Sequence, residues 1–522
     1  MRKRLIVSAA AGALALLLTV PASAAPYTPG TPGIGDAYYP NAGNGGYDVS
    51  HYDIRLKYQP ATDELEGTAT ILATATQDLS RFDLDFVLGV KEVLVNGRTA
   101  TFAATGESEL EITPARPLAK GSPVTVVVRY AGKPGEVERG GYSAWLRTAD
   151  GGVAANEPEG SAWWYPSNDH PTDKATFDVS VLVPDGTQAI SNGILTGQSS
   201  RAGWTRYNWR QTKPQATYLA TLAIGKFDIR TDTTPGGLPV VTAYSKDLGD
   251  NDGAARASVE RTGELVDWLS GYFGEYPFAS VGGYVPEVPT GYALETQTQI
   301  FYSPAQFSRG ANTSVVVHEL AHQWYGDSVS VQRWSDIWLN EGFARYAQWL
   351  WSEHENEGTA QELADYVYAS YPAGHAFWTV KPGDPGADHQ FAGAVYDRGA
   401  VAIQALRNTV GDEAFFRILK GWPAERKYGN ATIQQFQAFA ERVSGKPLGA
   451  LFETWLFTAA KPAADSAGVP ATSAAPAGAT GLAPSAESGR PEPKSWKRIQ
   501  ETNAVHEHEQ GRAQGHAHGR AR

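Results

Sequence analysis

A chain of 522 residues is too long for one hydrophobic core, so two or three domains are expected, and 42% hydrophobic with 19% charged residues is ordinary globular composition. The absence of cysteine excludes a disulfide-stapled scaffold, a cysteine nucleophile and any thiolate metal site, so a zinc ion would have to be held by histidine and carboxylate. A net charge of −12 argues against nucleic acid and anionic membranes as partners, and 15 Trp with 24 Tyr point to β-rich packing or to clefts that grip organic substrates.

The chain begins with basic MRKR, an apolar run from Leu5 to Val20 and the small-residue site Ala22-Ser23-Ala24. This is the pattern of a signal peptide over 1–24, and the run is shorter than the ~20 residues that span a bilayer. A secreted protein free of the membrane after cleavage is expected, with 25–44 as a linker. From 45 to 236, stretches such as HYDIRLKYQ, GTATILATATQ, SPVTVVVRYAG, ATFDVSVLVP and TYLATLAIGKFDI alternate apolar and polar residues between Gly, Pro, Asp and Asn punctuation. They predict an antiparallel all-β domain. Helical spacing dominates 237–460, in ARASVERTGELVDWLSGYFG, TSVVVHELAHQWYG, SDIWLNEGFARYAQWLWSEHE, GAVYDRGAVAIQALRNTVG, TIQQFQAFAERVSG and PLGALFETWLFTAA, with Asp412 and Thr432 as candidate N-caps. An extended stretch, Val281 to Tyr302, predicts a small sheet before the second of these, TSVVVHELAHQWYG. From 461 to 522 the composition falls to Ala, Pro, Gly and Ser and then to charge, which predicts a disordered tail. The fold class is therefore α+β and multidomain: an all-β domain, a mostly helical domain with a small sheet, and a tail.

The chemistry is concentrated in VVVHELAHQWYGD. Residues four apart on an α-helix lie within about 40° of one face, so His318 and His322 can converge on one zinc ion. Glu319 sits about 100° round, able to reach a water without being a ligand. The apolar residues around them predict burial, where unpartnered polar groups are costly. Glu341 follows nineteen residues after His322, far enough for a turn through Gly326 and Asp327 and a second helix returning beside the first. Alone it reads as a surface glutamate; with the histidines it completes a ligand set of His318, His322 and Glu341 for one Zn²⁺ per chain.

HELAHQWYGD followed by WLNEGFA resembles the M1 (gluzincin) family of zinc aminopeptidases, whose motif is H-E-x-x-H, eighteen residues, then E. The resemblance covers roughly residues 45–460 and implies a saddle-like β domain and a thermolysin-like catalytic domain. Three further segments are similar to family motifs. AVYDRGAVA resembles a Tyr-x-Lys-Gly-Ala segment, which makes Tyr396 the hydrogen-bond donor to the oxyanion and puts Arg398 in place of the usual lysine. GYALETQTQ resembles Gly-x-Met-Glu-Asn, so Glu295 would bind the substrate α-amine, although Tyr292 and Thr296 depart from the pattern. NEPEGSAWWYPSNDHPTDKATF places Glu157 at a second amine-binding position, with Glu159 as the neighbour it could be confused with.

The resemblance implies Glu319 as general base and a zinc aminopeptidase acting on peptides with a free N-terminus, here expected as a monomer. Asp336 and Asn340 are the candidates to orient the ligand imidazoles. The rivals are a gluzincin endopeptidase, a relative that also hydrolyses an epoxide, and a secreted binding protein on a non-catalytic peptidase scaffold.

Overall fold

A computed structural model describes residues 26–139, 141–463 and 490–503. The expected signal peptide lies outside these residues, apart from which no described helix is long and apolar enough to cross a membrane.

The β-rich half is built on an eight-stranded sheet, in the order Ile194–Arg201, Trp204–Gln215, Ala175–Pro184, Tyr47–Gln59, Glu64–Ala75, Pro123–Gly132, Gly89–Val95 and Arg98–Thr99. Period-2 alternation decides its buried face: Phe177, Val179, Val181 and Val183 point into the core between half-exposed neighbours. In Tyr47–Gln59 the alternation slips once, because a bulge at Ser50 lets Val49 and Tyr52 share the buried side. The sheet is mixed rather than purely antiparallel. Ala175–Pro184 runs parallel to Tyr47–Gln59, which the long connection from Gly132 to Ala175 permits.

The second half contains helices α1 (Asp252–Val259), α2 (Thr262–Phe273), α3 (Thr313–His322), α4 (Trp338–His354), α5 (Ala360–Ser370), α6 (Gly393–Val410), α7 (Asp412–Glu425), α8 (Ile433–Ser444) and α9 (Gly449–Phe452). The single helix expected over 255–274 is two, interrupted at Glu260 and Arg261. The stretch after α9 continues as a wider turn over Glu453–Phe457. Thr432 caps α8 in a reciprocal capping box with Gln435. Asp412 is instead the first residue of α7, after Gly411, and pairs with Arg407 at 2.8 Å.

The small sheet pairs Phe227–Thr233, Pro239–Ser245, Val281–Val285 and Ile300–Phe301. A division at 236/237 therefore falls inside a β-hairpin, since Phe227–Thr233 pairs with Pro239–Ser245.

Two further segments differ from expectation. Residues 26–44 are pinned to both halves: Thr28–Pro29 pairs with Leu79–Asp85, and buried Asp36 accepts from the Trp334 amide at 2.9 Å and meets His170 Nε2 at 3.4 Å. Within the stretch expected to be a disordered tail, α10 (Trp496–Asn503) packs on α3, with Trp496 and Ile499 buried in the helical core. Composition averaged over 461–522 hides these two anchors.

Candidate active site

Helix α3 starts where Asn312 Oδ1 accepts from the Val315 amide, and its residues from Ser314 to His322 are all buried. The chain then turns through Gly326, at φ +137°, before returning as α4. A Cβ at Gly326 would sit 3.3 Å from both His322 Nδ1 and Asn340 Nδ2, so glycine suits the conformation and the close approach alike. This return brings Glu341 against the two histidines. Glu341 Oε2 lies 3.3 Å from His318 Nε2 and 3.5 Å from His322 Nε2, and ligand atoms of all three fall within 4.8 Å of one another.

The other ring nitrogens fix the tautomers. His318 Nδ1 donates to Gln348 Oε1 at 3.2 Å, and His322 Nδ1 donates to the Tyr325 carbonyl at 3.1 Å. Both Nε2 atoms are thereby turned to a common point beside Glu341. Burial lowers the His318 pKa to about 3, keeping the ring neutral. Burial would neutralise Glu341, but His322 and His318 outweigh it and hold the carboxyl well below the usual range. Burial would lower the His322 pKa, but Glu341, Glu295 and Glu319 outweigh it and raise it well above the ordinary value, so this ring gives up a proton when a metal binds. Two imidazoles and one carboxylate, buried and convergent, are the donor set zinc takes in hydrolytic sites.

Around this point the site carries an excess of carboxylate. Glu319 and Glu295 join His322 in a second group whose ligand atoms lie within 4.8 Å, and Glu319 Oε1, Glu295 Oε1 and Glu157 Oε1 are buried without hydrogen-bond partners. Burial raises the pKa of each, and each also feels the charge of Glu341. Of the neighbouring charges Glu295 raises Glu157 most. Such a cluster requires compensating positive charge.

Glu157, not Glu159, belongs to this cluster. Glu159 accepts from the Tyr142 hydroxyl at 3.4 Å, and burial and Asp169 raise it to about 7. The loop 286–299 that carries Glu295 is held by Gln323, at the end of α3, which donates to the Glu295 carbonyl at 3.0 Å and accepts from the Thr298 amide at 2.9 Å. Tyr292 hydrogen-bonds through its hydroxyl to the Ala155 carbonyl at 3.1 Å, tying this loop to the segment bearing Glu157. The departure at Tyr292 thus bridges the two amine-binding candidates.

Tyr396 reaches the site from α6, its ring stacked on His318 at 5.9 Å. It gets there because α4 and α6 cross closely at Gly342 and Gly399. A Cβ at Gly399 would stand 2.7 Å from the Trp338 ring, and Trp338 Nε1 donates to the Gly399 carbonyl at 3.1 Å. Burial, then Glu341, raises the Tyr396 pKa well above 10, so its phenol stays a donor. Arg398 is fully buried and donates to the carbonyls of Trp378, Val380 and Trp455 at 2.8 to 2.9 Å, holding the segment after α9.

The groups that orient the imidazoles are Gln348 and the Tyr325 carbonyl rather than Asp336 or Asn340. Asp336 accepts from Arg333 and from the Ile433 amide, which turns it toward the start of α8. Gln348 could have been found by periodicity, since it lies seven residues after Glu341 and hence on the same helix face. Tyr218 was also missed; its buried hydroxyl lies beside Glu295 and lowers that group's pKa against the effect of burial.

A model of the peptidase family M1 domain matches residues 290–455, and one of the peptidase M1 N-terminal domain matches 49–219. Among curated proteins, the chain is 27% identical over 321 residues to glutamyl aminopeptidase of Bos taurus, covering 58% of this chain and 33% of that one. It is 27% identical over 330 residues to aminopeptidase M1 of Arabidopsis thaliana, covering 58% and 36%. The chain thus spans about a third of the length of these relatives. The solved M1 zinc metallopeptidase from Deinococcus radiodurans is similar at TM-score 0.74 and 30% identity, over 85% of this chain and all (100%) of that one. A mutant of that protein bound to a Tyr-Ser-Ala substrate matches at TM-score 0.73 and 30% identity, over 81% and 97%.

Proposed function

This chain belongs to peptidase family M1, and on that premise we propose that it is a zinc-dependent aminopeptidase that releases N-terminal residues from peptides. The observation that carries the reading is the pair of buried, unpartnered carboxylates, Glu157 and Glu295, beside the His318, His322 and Glu341 group. Two carboxylates can bind the α-ammonium of a free N-terminus, whereas an internal amide offers them no charge.

Held by His318, His322 and Glu341, zinc supplies Lewis acidity to a carbonyl oxygen and to a water molecule. Glu295 and Glu157 anchor the N-terminus so that the first peptide bond is the one presented to Glu319. Glu319 takes a proton from the water at its carboxylate and passes it to the leaving amine; a pKa raised by burial suits a group that must both accept and return a proton. Tyr396 donates its phenolic hydrogen to the oxygen where negative charge develops.

The basic start, apolar run and Ala22-Ser23-Ala24 site support export, and sequencing the N-terminus of the mature protein tests it. The activity is tested by comparing a peptide with its N-acetylated copy. Rapid release of the first residue from the free peptide, with little or none from the acetylated one, is expected. Equal cleavage of both would identify an endopeptidase and overturn the proposal.

A further inference from the structure

Helix α10 touches the active site through two chains of polar contacts, one of buried hydrogen bonds and one of a hydrogen bond and an ion pair. Ile499 offers its carbonyl to Arg345 Nη1 at 3.1 Å. The same nitrogen donates to Gln348 Oε1 at 2.6 Å, and that oxygen accepts from His318 Nδ1 at 3.2 Å. Gln500 Nε2 donates to Asp397 Oδ2 at 3.0 Å, while Asp397 Oδ1 pairs with Arg345 Nε at 3.1 Å. Asp397 directly follows Tyr396 in α6, and the Arg345 guanidinium lies 5.6 Å from the Tyr396 ring. One chain therefore ends on a metal ligand and the other on the helix that carries the oxyanion donor.

From this we infer that residues 490–503 are a docked positioning element of the active site: seated, they complete the network that sets His318 and Tyr396, and unseated, they weaken metal retention and turnover together. The inference rests on the aminopeptidase reading above. Arg345 is 0% exposed, and a guanidinium so buried is tolerable only while its donors are satisfied. Withdrawing the Ile499 carbonyl removes one acceptor, and withdrawing Gln500 removes a donor from Asp397. Both losses fall on the pair that holds Gln348.

The seat is specific. Trp496 stands edge-on to Tyr366 at 5.2 Å, Ser495 Oγ meets Ser352 Oγ at 2.7 Å, and Arg490 pairs with Asp365 at 2.5 Å. An eight-residue helix is not stable by itself, so its order comes from this seat. The Ala-, Pro-, Gly- and Ser-rich residues 464–489 join it to the catalytic domain, which makes docking intramolecular and favours it by effective concentration.

The test uses the full chain, loaded with zinc, as parent, as Gln500→Ala and as the double variant Trp496→Ala with Ile499→Ala. Zinc release to excess chelator is followed alongside kcat and KM on an aminoacyl-amidocoumarin. The double variant should release zinc about 10-fold faster. Its kcat should fall severalfold with KM within twofold, and a synthetic peptide of residues 490–503 added at millimolar concentration should restore both. Gln500→Ala, which leaves the anchors in place, should lower kcat at least threefold without moving KM, and it decides the matter if the double variant does not fold. Parental zinc release and kcat in the variants that fold would overturn the inference, whatever happens to Tm. A parent that takes up no zinc would refute the peptidase reading instead, so the two failures are distinct.

Discussion

Replacing Gln348 by methionine should cost the protein its grip on zinc while leaving the fold in place. Methionine nearly conserves the side-chain volume of this buried residue but removes both polar atoms of the amide. Lost are the acceptor for His318 Nδ1 at 3.2 Å and for Arg345 Nη1 at 2.6 Å, and the donor to Ser314, whose carbonyl and hydroxyl lie at 3.1 and 2.9 Å. Without its acceptor the imidazole can rotate or change tautomer, a loss of about 10- to 100-fold in metal affinity. That is about 1.4 to 2.8 kcal/mol. Arg345 keeps Asp397 and the Ile499 carbonyl, so the stability of the zinc-free protein should drop by roughly 1 to 3 kcal/mol, the cost of an unsatisfied buried polar group. Competition with a chromogenic chelator reads the affinity, and chemical denaturation of the zinc-free protein reads the stability. A zinc affinity within twofold of the parent would refute the reasoning and leave Gln348 as packing.

Glu319→Gln should bind zinc in parental stoichiometry yet lose turnover by at least ~10³-fold, read by metal analysis beside aminoacyl-anilide hydrolysis; normal hydrolysis would displace Glu319 as the base. Tyr396→Phe should lower kcat by about 10²- to 10³-fold. Because the Tyr396 pKa is raised well above 10, its phenol remains a donor throughout the working range, and the parental kcat should show no alkaline fall below pH 10 that disappears in this variant. Gly399→Ala should push α6 from the Trp338 ring, lowering stability by about 1 to 3 kcal/mol in denaturant and reducing kcat through the displaced Tyr396. Parental stability there would mean that the α4 and α6 crossing can widen without penalty.

Much of the active site was legible in the sequence because its logic is local. His318, Glu319 and His322 are related by helix geometry alone, and Glu341 needed one further assumption, a helix that turns back. The strands were legible for the same reason, since alternation is read two residues at a time. By contrast, the pairing of Ala175–Pro184 with Tyr47–Gln59 in parallel joins residues more than a hundred apart, which periodicity does not address.

Tertiary structure decided what depends on direction and on distant partners. Glu157 and Glu159 are indistinguishable as letters, and only the packing aims one at Glu295, Glu341 and His322 and the other at Tyr142 and Asp169. Arg398 resembles a member of the catalytic segment, yet its side chain turns away to backbone carbonyls after α9. Helix α10 is the clearest case. Its composition and length predict disorder, because eight residues cannot offset the entropy of forming a helix unaided. Two buried side chains and one carbonyl, meeting a surface built from residues 103 or more positions earlier, make the difference. Short-range covalent geometry is written in the sequence, whereas burial is a property of the whole fold.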